Sequence, residues 1–170
     1  ELYMKKMKKF NLKKSEKILC AKFRVGHFEG VLNVMNRLLS LIKSKYVFMG
    51  EKDFQQYFFI KKILGKKYKI NIISCPTIRD KNKIAISTRN KLLNKDSIKK
   101  ASCIAIELLN LKRNLDLKKL KMPINFLTLK NNFEKKYKVK FDYIELRDEK
   151  NLKLKSFKSK CRLFIAYTIR

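Results

Sequence analysis

The stretch from Tyr46 to Cys75 constrains the fold more than any other part of the chain, because its hydrophobic period changes twice within about thirty residues. "YVFM" (Tyr46–Met49) is a short β-prone apolar run that stops at Gly50, and it reads as a buried strand. From Asp53 to about Leu64, the positions of Phe54, Tyr57, Phe58 and the run from Ile60 to Leu64 fit a helix. Glu51 and Asp53 stand at its positive end, where acidic groups are favourable. "INIISC" (Ile70–Cys75) is a second strand, stopped by Pro76, which has no N–H to give a ladder. Strand, helix and strand at this spacing make a βαβ unit, so the chain is predicted to be α/β with a parallel sheet.

Upstream of that unit, "GVLNVMNRLLSLIK" (Gly30–Lys43) places Val31, Val34, Met35, Leu38 and Ile42 at helical spacing, which predicts an amphipathic helix. Residues 1–22 are basic and irregular. Downstream, "TIRDKNK" is a polar loop, and "DSIKKASCIAIELLNL" (Asp96–Leu111) has a helical period. A Lys-rich helical stretch around Asn125–Tyr137 then precedes two β-prone runs, Lys140–Leu146 and Cys161–Ile169. That change of character predicts a second, smaller α+β domain with its boundary in the 77–90 loop, giving domains of 1–80 and 81–170.

Three polar clusters carry chemistry. In a parallel α/β sheet, ligands collect at the carboxyl ends of strands, where helix N-termini present free amides. "GEKDFQQ" (Gly50–Gln56) occupies that position. There Lys52 can meet a phosphate as a point charge, and Asp53 can accept bonds from ribose hydroxyls or serve a cation. Asp53 and Gln56, three apart on a helix, share a face. The same residues also suit a capped helix with a solvated charged turn, and spacing does not separate the two. "FRVGHFEG" (Phe23–Gly30) brackets His27, the only histidine, between two glycines with Arg24 three residues before it, a candidate carboxylate or phosphate site. With no Cys or Asp at useful spacing, His27 is not placed for a metal or a catalytic triad. "ISTRN" (Ile86–Asn90) suits a loop that closes over phosphates, although an ordinary turn with an N-cap is the better reading of its spacing alone.

Charge offers a competing reading. Lys and Arg number 44 against 14 Asp and Glu, a formal net charge of +30, which by default points to nucleic acid or an anionic membrane. The lysines are spread along the chain in no single block. The accompanying wealth of Lys, Asn and Ile matches a translated AT-rich genome, so the charge is read as background. No RRM, KH or helix-turn-helix signature accompanies it. The four cysteines lie far apart without metal-ligand spacing, which predicts reduced thiols in a cytoplasmic protein, and no apolar run reaches membrane-spanning length.

Together and in this order, "RVGHFEGV", "FMGEKDFQQ" and "CPTIRDKNKIAISTRN" closely resemble the pantoate–β-alanine ligase (pantothenate synthetase) family. That family shows R-P-G-H-F-x-G-V, G-E-K-D-x-Q-Q and P-T-x-R-x-x-D-G-L-A-x-S-S-R-N elements at matching intervals. The resemblance is dense from Glu1 to Asn90 and continues weakly to "YIELRD" and "FIAYTI" near the end. It implies an enzyme of the nucleotidyltransferase superfamily, of which this chain would hold the C-terminal half of a Rossmann-like domain followed by a small α+β lid domain. It implies ATP and Mg2+ as cofactors, pantoate and β-alanine as substrates, and a pantoyl-adenylate intermediate. A homodimer when full length, with no specific nucleic acid and no membrane as partner, is implied too.

Carried over by position, the resemblance assigns Gly50 and Asp53 to the ribose and Lys52 to the phosphates, with Glu51 in the same nucleotide-binding group. Gln56 is assigned to pantoate, Ile78 and Ile86 to the adenine pocket, and Ser87 and Arg89, with Thr88 between them, to a phosphate-closing loop. Arg24 and His27 resemble a family pair near the phosphates and pantoate. Lys52, Ser87 and Arg89 form the expected catalytic group, and no residue is assigned to a metal. Three departures stand out: Val25 replaces the usual proline, and Asn82-Lys83 replace Asp-Gly. The family's His-x-Gly-His element and a further pantoate-binding glutamine have no counterpart here, so the resemblance implies a fragment lacking the N-terminal part and inactive alone. A basic nucleic-acid-binding protein and a decayed, inactive homologue of the ligase are the alternatives.

Overall fold

Strand, helix and strand form between Tyr46 and Cys75, with the strands parallel as predicted. The computed structural model describes residues 10–116, 124–154 and 161–169. The beginning of the irregular basic stretch, 1–9, lies outside the described residues. Contacts divide the chain into two units, Glu1–Thr77 and Ile78–Arg170.

In the first unit a short helix α1 (Cys20–Phe23) leads to α2 (His27–Leu41), strand β1 (Tyr46–Gly50), α3 (Phe54–Ile60), α4 (Lys66–Tyr68) and β2 (Asn71–Cys75). A wide π turn, Lys61–Gly65, joins α3 to α4, so the predicted helix runs on to Tyr68. In the sheet Tyr46 pairs with Asn71 and Gly50 with Cys75. The core lies where α2 meets α3. Phe59, Ile60 and Leu64 are wholly buried beside Leu32, and each such side chain contributes about 1.5–3 kcal/mol relative to exposure. The Phe28 and Phe59 rings meet edge to face with centroids 5.4 Å apart.

One reading of this unit is corrected. Strand β1 is not buried: Val47 and Met49 are half-covered, but Phe48 on the opposite face is 66% exposed and Tyr46 is exposed with it. A strand alternates its side chains between faces, and only one face of this two-stranded sheet is covered by described residues. In α2 the buried stripe is Phe28, Leu32, Asn36 and Leu39, while Val31, Met35 and Leu38 are half-buried and Val34 and Ile42 exposed. The helix is apolar on two sides, and the second side received the core. Buried Asn36 is satisfied there, its Oδ1 accepting from Lys67 Nζ at 2.7 Å and Tyr68 Oη at 2.9 Å.

The second unit contains α5 (Lys95–Asp116), α6 (Phe126–Tyr137) and the antiparallel strands β3 (Lys140–Asp148) and β4 (Cys161–Thr168). Asn125 caps α6, its Oδ1 accepting from the amides of Leu127 and Thr128. Ile104 and Leu108 of α5, Phe133 of α6, and Val139, Phe141 and Ile144 form the core, with Phe141 stacked on Tyr167 at 4.9 Å. Glu107 accepts from Tyr137 Oη at 2.5 Å and from Lys136 Nζ, which ties α5 to α6. Burial alone would raise that carboxyl, but these two bonds hold it below its ordinary range.

Candidate functional site

At the carboxyl end of β1 the chain leaves the sheet through Gly50 and makes one tight turn, Glu51–Asp53, before α3 begins. Glu51 is tied back across the sheet end, its Oε1 accepting from Ser74 Oγ of β2 at 3.2 Å. Lys52 and Asp53 stay exposed on the outer side of the turn. The two glutamines that follow part company. Gln55 is buried and donates from Nε2 to the Ile18 carbonyl at 2.7 Å, which pins the segment before α1 to α3. Its buried Oε1 has no hydrogen-bond partner among the described residues. Gln56, one position on, turns the other way and lines an open cavity of about 440 Å³ with Gly26, His27, Gly30, Val31, Val34 and Met35.

The opposite wall of that cavity starts at a turn. His27 N donates to Arg24 O at 3.2 Å, and Gly26 has φ 76° and ψ −12°. These are the hydrogen bond and third-residue angles of a type II turn, whose positive φ is open to glycine and strained for other residues. Val25 sits at the second position, where proline is favoured in such turns, so the family's proline fits this geometry and valine forgoes only its restraint. The turn brings Arg24 Nη2 to 3.2 Å from His27 Nδ1. Helix α2 begins at His27 and carries Gly30, Val31, Val34 and Met35 along the cavity. These apolar lining residues escaped the site prediction, although their offsets from His27 (three, four, seven and eight) put them on its helix face.

Ile78, Ile86, Ser87, Thr88 and Arg89 all belong to the second unit. Ile86 N donates to Ile78 O at 3.0 Å beside a bridge between Arg79 and Ala85, so the two isoleucines meet across a small hairpin, both exposed. Ser87 caps the turn Thr88–Leu92, its Oγ accepting from Arg89 N at 3.3 Å, and Asn90 Nδ2 bonds Ala85 O at 3.0 Å. The hairpin turns at Asp80, whose Oδ1 accepts from Asn82 N at 2.9 Å and Ile84 N at 3.0 Å. Lys83, standing where the family has glycine, takes φ 65°. A left-handed lysine costs about 1–2 kcal/mol, and glycine there loses about 0.5–1 kcal/mol of chain entropy. Lys83→Gly is therefore expected to stabilise the chain by about 0.5–1 kcal/mol, read as a higher denaturant midpoint; a lower midpoint would contradict this account.

The structure thus gathers Arg24, His27 and Gln56 around one cavity or its rim, with Gly50, Glu51, Lys52 and Asp53 on the turn just before Gln56. It gathers Ile78, Ile86, Ser87, Thr88 and Arg89 on a separate hairpin and turn. Among the described residues no group of three or more His, Cys, Asp or Glu could hold a metal ion. A second depression, about 610 Å³, lies at the amino ends of β1 and β2. Three of its eleven lining residues are lysine, the proportion of basic residues in the whole chain, so it shows no concentration of charge. None of the described helices is long and apolar enough to cross a membrane.

The sequence profile of the pantoate-beta-alanine ligase family matches residues 1–170. The chain belongs to that family. It is 42% identical over 131 residues to a bifunctional pantoate ligase/cytidylate kinase of Prochlorococcus marinus subsp. pastoris, covering 71% of this chain and 26% of that protein. It is 32% identical to a pantothenate synthetase of Christiangramia forsetii, covering 98% of this chain and 59% of that one. The chain therefore spans between a quarter and three-fifths of the length of these two ligase-family relatives. Among solved structures it resembles the pantothenate synthetase of Thermus thermophilus, with a TM-score of 0.80 over 95% of this chain and 59% of that one; at 21% identity this likeness speaks for the fold alone. It also resembles the pantoate-beta-alanine ligase of Francisella tularensis complexed with beta-gamma ATP and beta-alanine, at 30% identity and a TM-score of 0.69, over 95% and 54% of the two chains.

Proposed function

We propose that the protein to which this chain belongs condenses pantoate with β-alanine at the expense of ATP, and that this chain carries the pantoate end of the site. The observation that carries the reading is the cavity itself. Val31, Val34 and Met35 offer an apolar wall suited to the paired methyl groups of pantoate, and Gln56 and His27 offer polar groups to its hydroxyl and carboxylate oxygens. Lys52 and Asp53 stand on the turn that leads into α3, the helix carrying Gln56, at the carboxyl end of a parallel strand where nucleotides collect. In the first step a pantoate carboxylate oxygen bonds to the α-phosphorus of ATP and the bond to pyrophosphate breaks. In the second the β-alanine nitrogen bonds to the acyl carbon, AMP leaves, and the amine gives up a proton. The Lys52 ammonium would oppose the charge that develops on the phosphates; the family resemblance assigns Ser87, Thr88 and Arg89 to the phosphates as well.

Mg2+ would ride on the nucleotide phosphates with few protein ligands, the manner in which this ion usually binds beside phosphates. In the same reading residues 1–80 belong to the nucleotide- and pantoate-binding domain and 81–170 to the smaller one. Cytoplasmic location accords with Cys20, Cys75, Cys103 and Cys161 forming no disulfide among the described residues. Homodimerisation of the whole protein rests on the family resemblance.

The test is pantoate titrated into the isotope-labelled chain. Saturable shifts of the Gln56 side-chain amide and the His27 ring are expected, weakened at least tenfold in Gln56→Leu, since a bond to a charged group contributes about 1.5–3 kcal/mol. Saturable binding that Gln56→Leu leaves unchanged would sink the assignment.

A further inference from the structure

The turn that opens α2 does more than start a helix. Arg24 and His27 are its first and last residues, joined by the His27 N to Arg24 O bond, and Gly26 supplies the positive φ that folds one back over the other. The guanidinium then lies 3.2 Å from His27 Nδ1 through Nη2. A guanidinium has five N–H donors and no acceptor, so at this contact Nδ1 is the nitrogen with the lone pair. A neutral imidazole has one proton for two nitrogens, and it therefore sits on Nε2. We propose that Arg24 is a positioning residue for His27, fixing the imidazole that lines the cavity as its Nε2–H form. Resting on the pantoate reading, this makes the ring a donor toward the oxygen-bearing end of the substrate; the opposite tautomer would set a lone pair against those oxygens. The bond is exposed, so its contribution to folding is small, and its consequence lies in which nitrogen carries the proton.

His27 is the only histidine in the chain, so its two ring nitrogens are assignable without ambiguity in a long-range proton–nitrogen correlation spectrum of the labelled chain. The measurement belongs at about pH 9, well above the usual histidine range near 6.5. The expected result is a protonated, pyrrole-type Nε2 and an unprotonated, pyridine-type Nδ1. Arg24→Gln, whose amide can still donate to Nδ1, should keep that pattern. Arg24→Glu, whose carboxylate can only accept, should move the proton to Nδ1 and exchange the two nitrogen signatures. A proton on Nδ1 in the unaltered chain, or identical nitrogen signatures in the chain and in Arg24→Glu, overturns the proposal. No substrate enters these spectra. A chain with the expected pattern whose cavity ignores pantoate would count against placing the pantoate end of the site on this chain and leave the Arg24 assignment standing.

Discussion

If the proposed ligase reading holds, Lys52→Ala in the full-length protein is expected to lower kcat for pantoate- and β-alanine-dependent AMP formation by about 100- to 1,000-fold, the usual cost of removing one preorganised group from developing charge. Lys52 is exposed on the turn between β1 and α3, so the loss should come without a change in the denaturation midpoint. The control is Lys62→Ala on the same helical run. Lys62 is exposed too, but its ammonium serves Glu16 at 2.6 Å, and a surface pair of this kind contributes at most about 1 kcal/mol. Its removal should leave turnover within about twofold, as for surface substitutions away from the site. In a chain with 44 basic residues the comparison separates one placed lysine from a compositional excess. If Lys52→Ala retained more than a third of kcat, or both lysines mattered equally, the charge would be acting as a general field and the assignment of Lys52 to the phosphates would fall.

How far the site could be read from residues alone follows from what each residue depends on. The position of "GEKDFQQ" between a strand and a helix was legible, because the change from an apolar run to a helical period is local. The burial of β1 was not, since it depends on what covers the second face of the sheet. Nor was the division between the two glutamines. Neighbours on a helix point about 100° apart, and Gln55 faces inward because the Ile18 carbonyl meets it there, a contact between residues 37 apart in sequence. The amphipathic helix α2 was legible, but its apolar residues form two stripes, and periodicity cannot say which stripe meets the core and which lines a cavity. Asn82-Lys83 carries no local sign of a left-handed backbone, and only the family's glycine hinted at φ 65°. That Lys83 adopts the angle means the turn survives this departure, which weakens it as a mark of decay.

Phe59→Ala should cost the first unit about 3–5 kcal/mol of stability. The ring is 1% exposed and meets Phe28 edge to face, so its loss removes transfer energy, the aromatic pairing and the packing around the space it leaves. The site should go with it. Phe28 follows His27 on α2, and Phe59 lies three residues after Gln56 on α3, so this one pair joins the two walls of the cavity from behind. Phe59→Leu keeps much of the volume and should cost appreciably less than the alanine change. Denaturant titration of the two variants against the parent, with pantoate binding measured on the same samples, tests both halves. Full binding retained alongside a loss under about 1 kcal/mol in Phe59→Ala would mean that α2 and α3 are held together elsewhere, and the aromatic pair would lose its place as the support of the cavity.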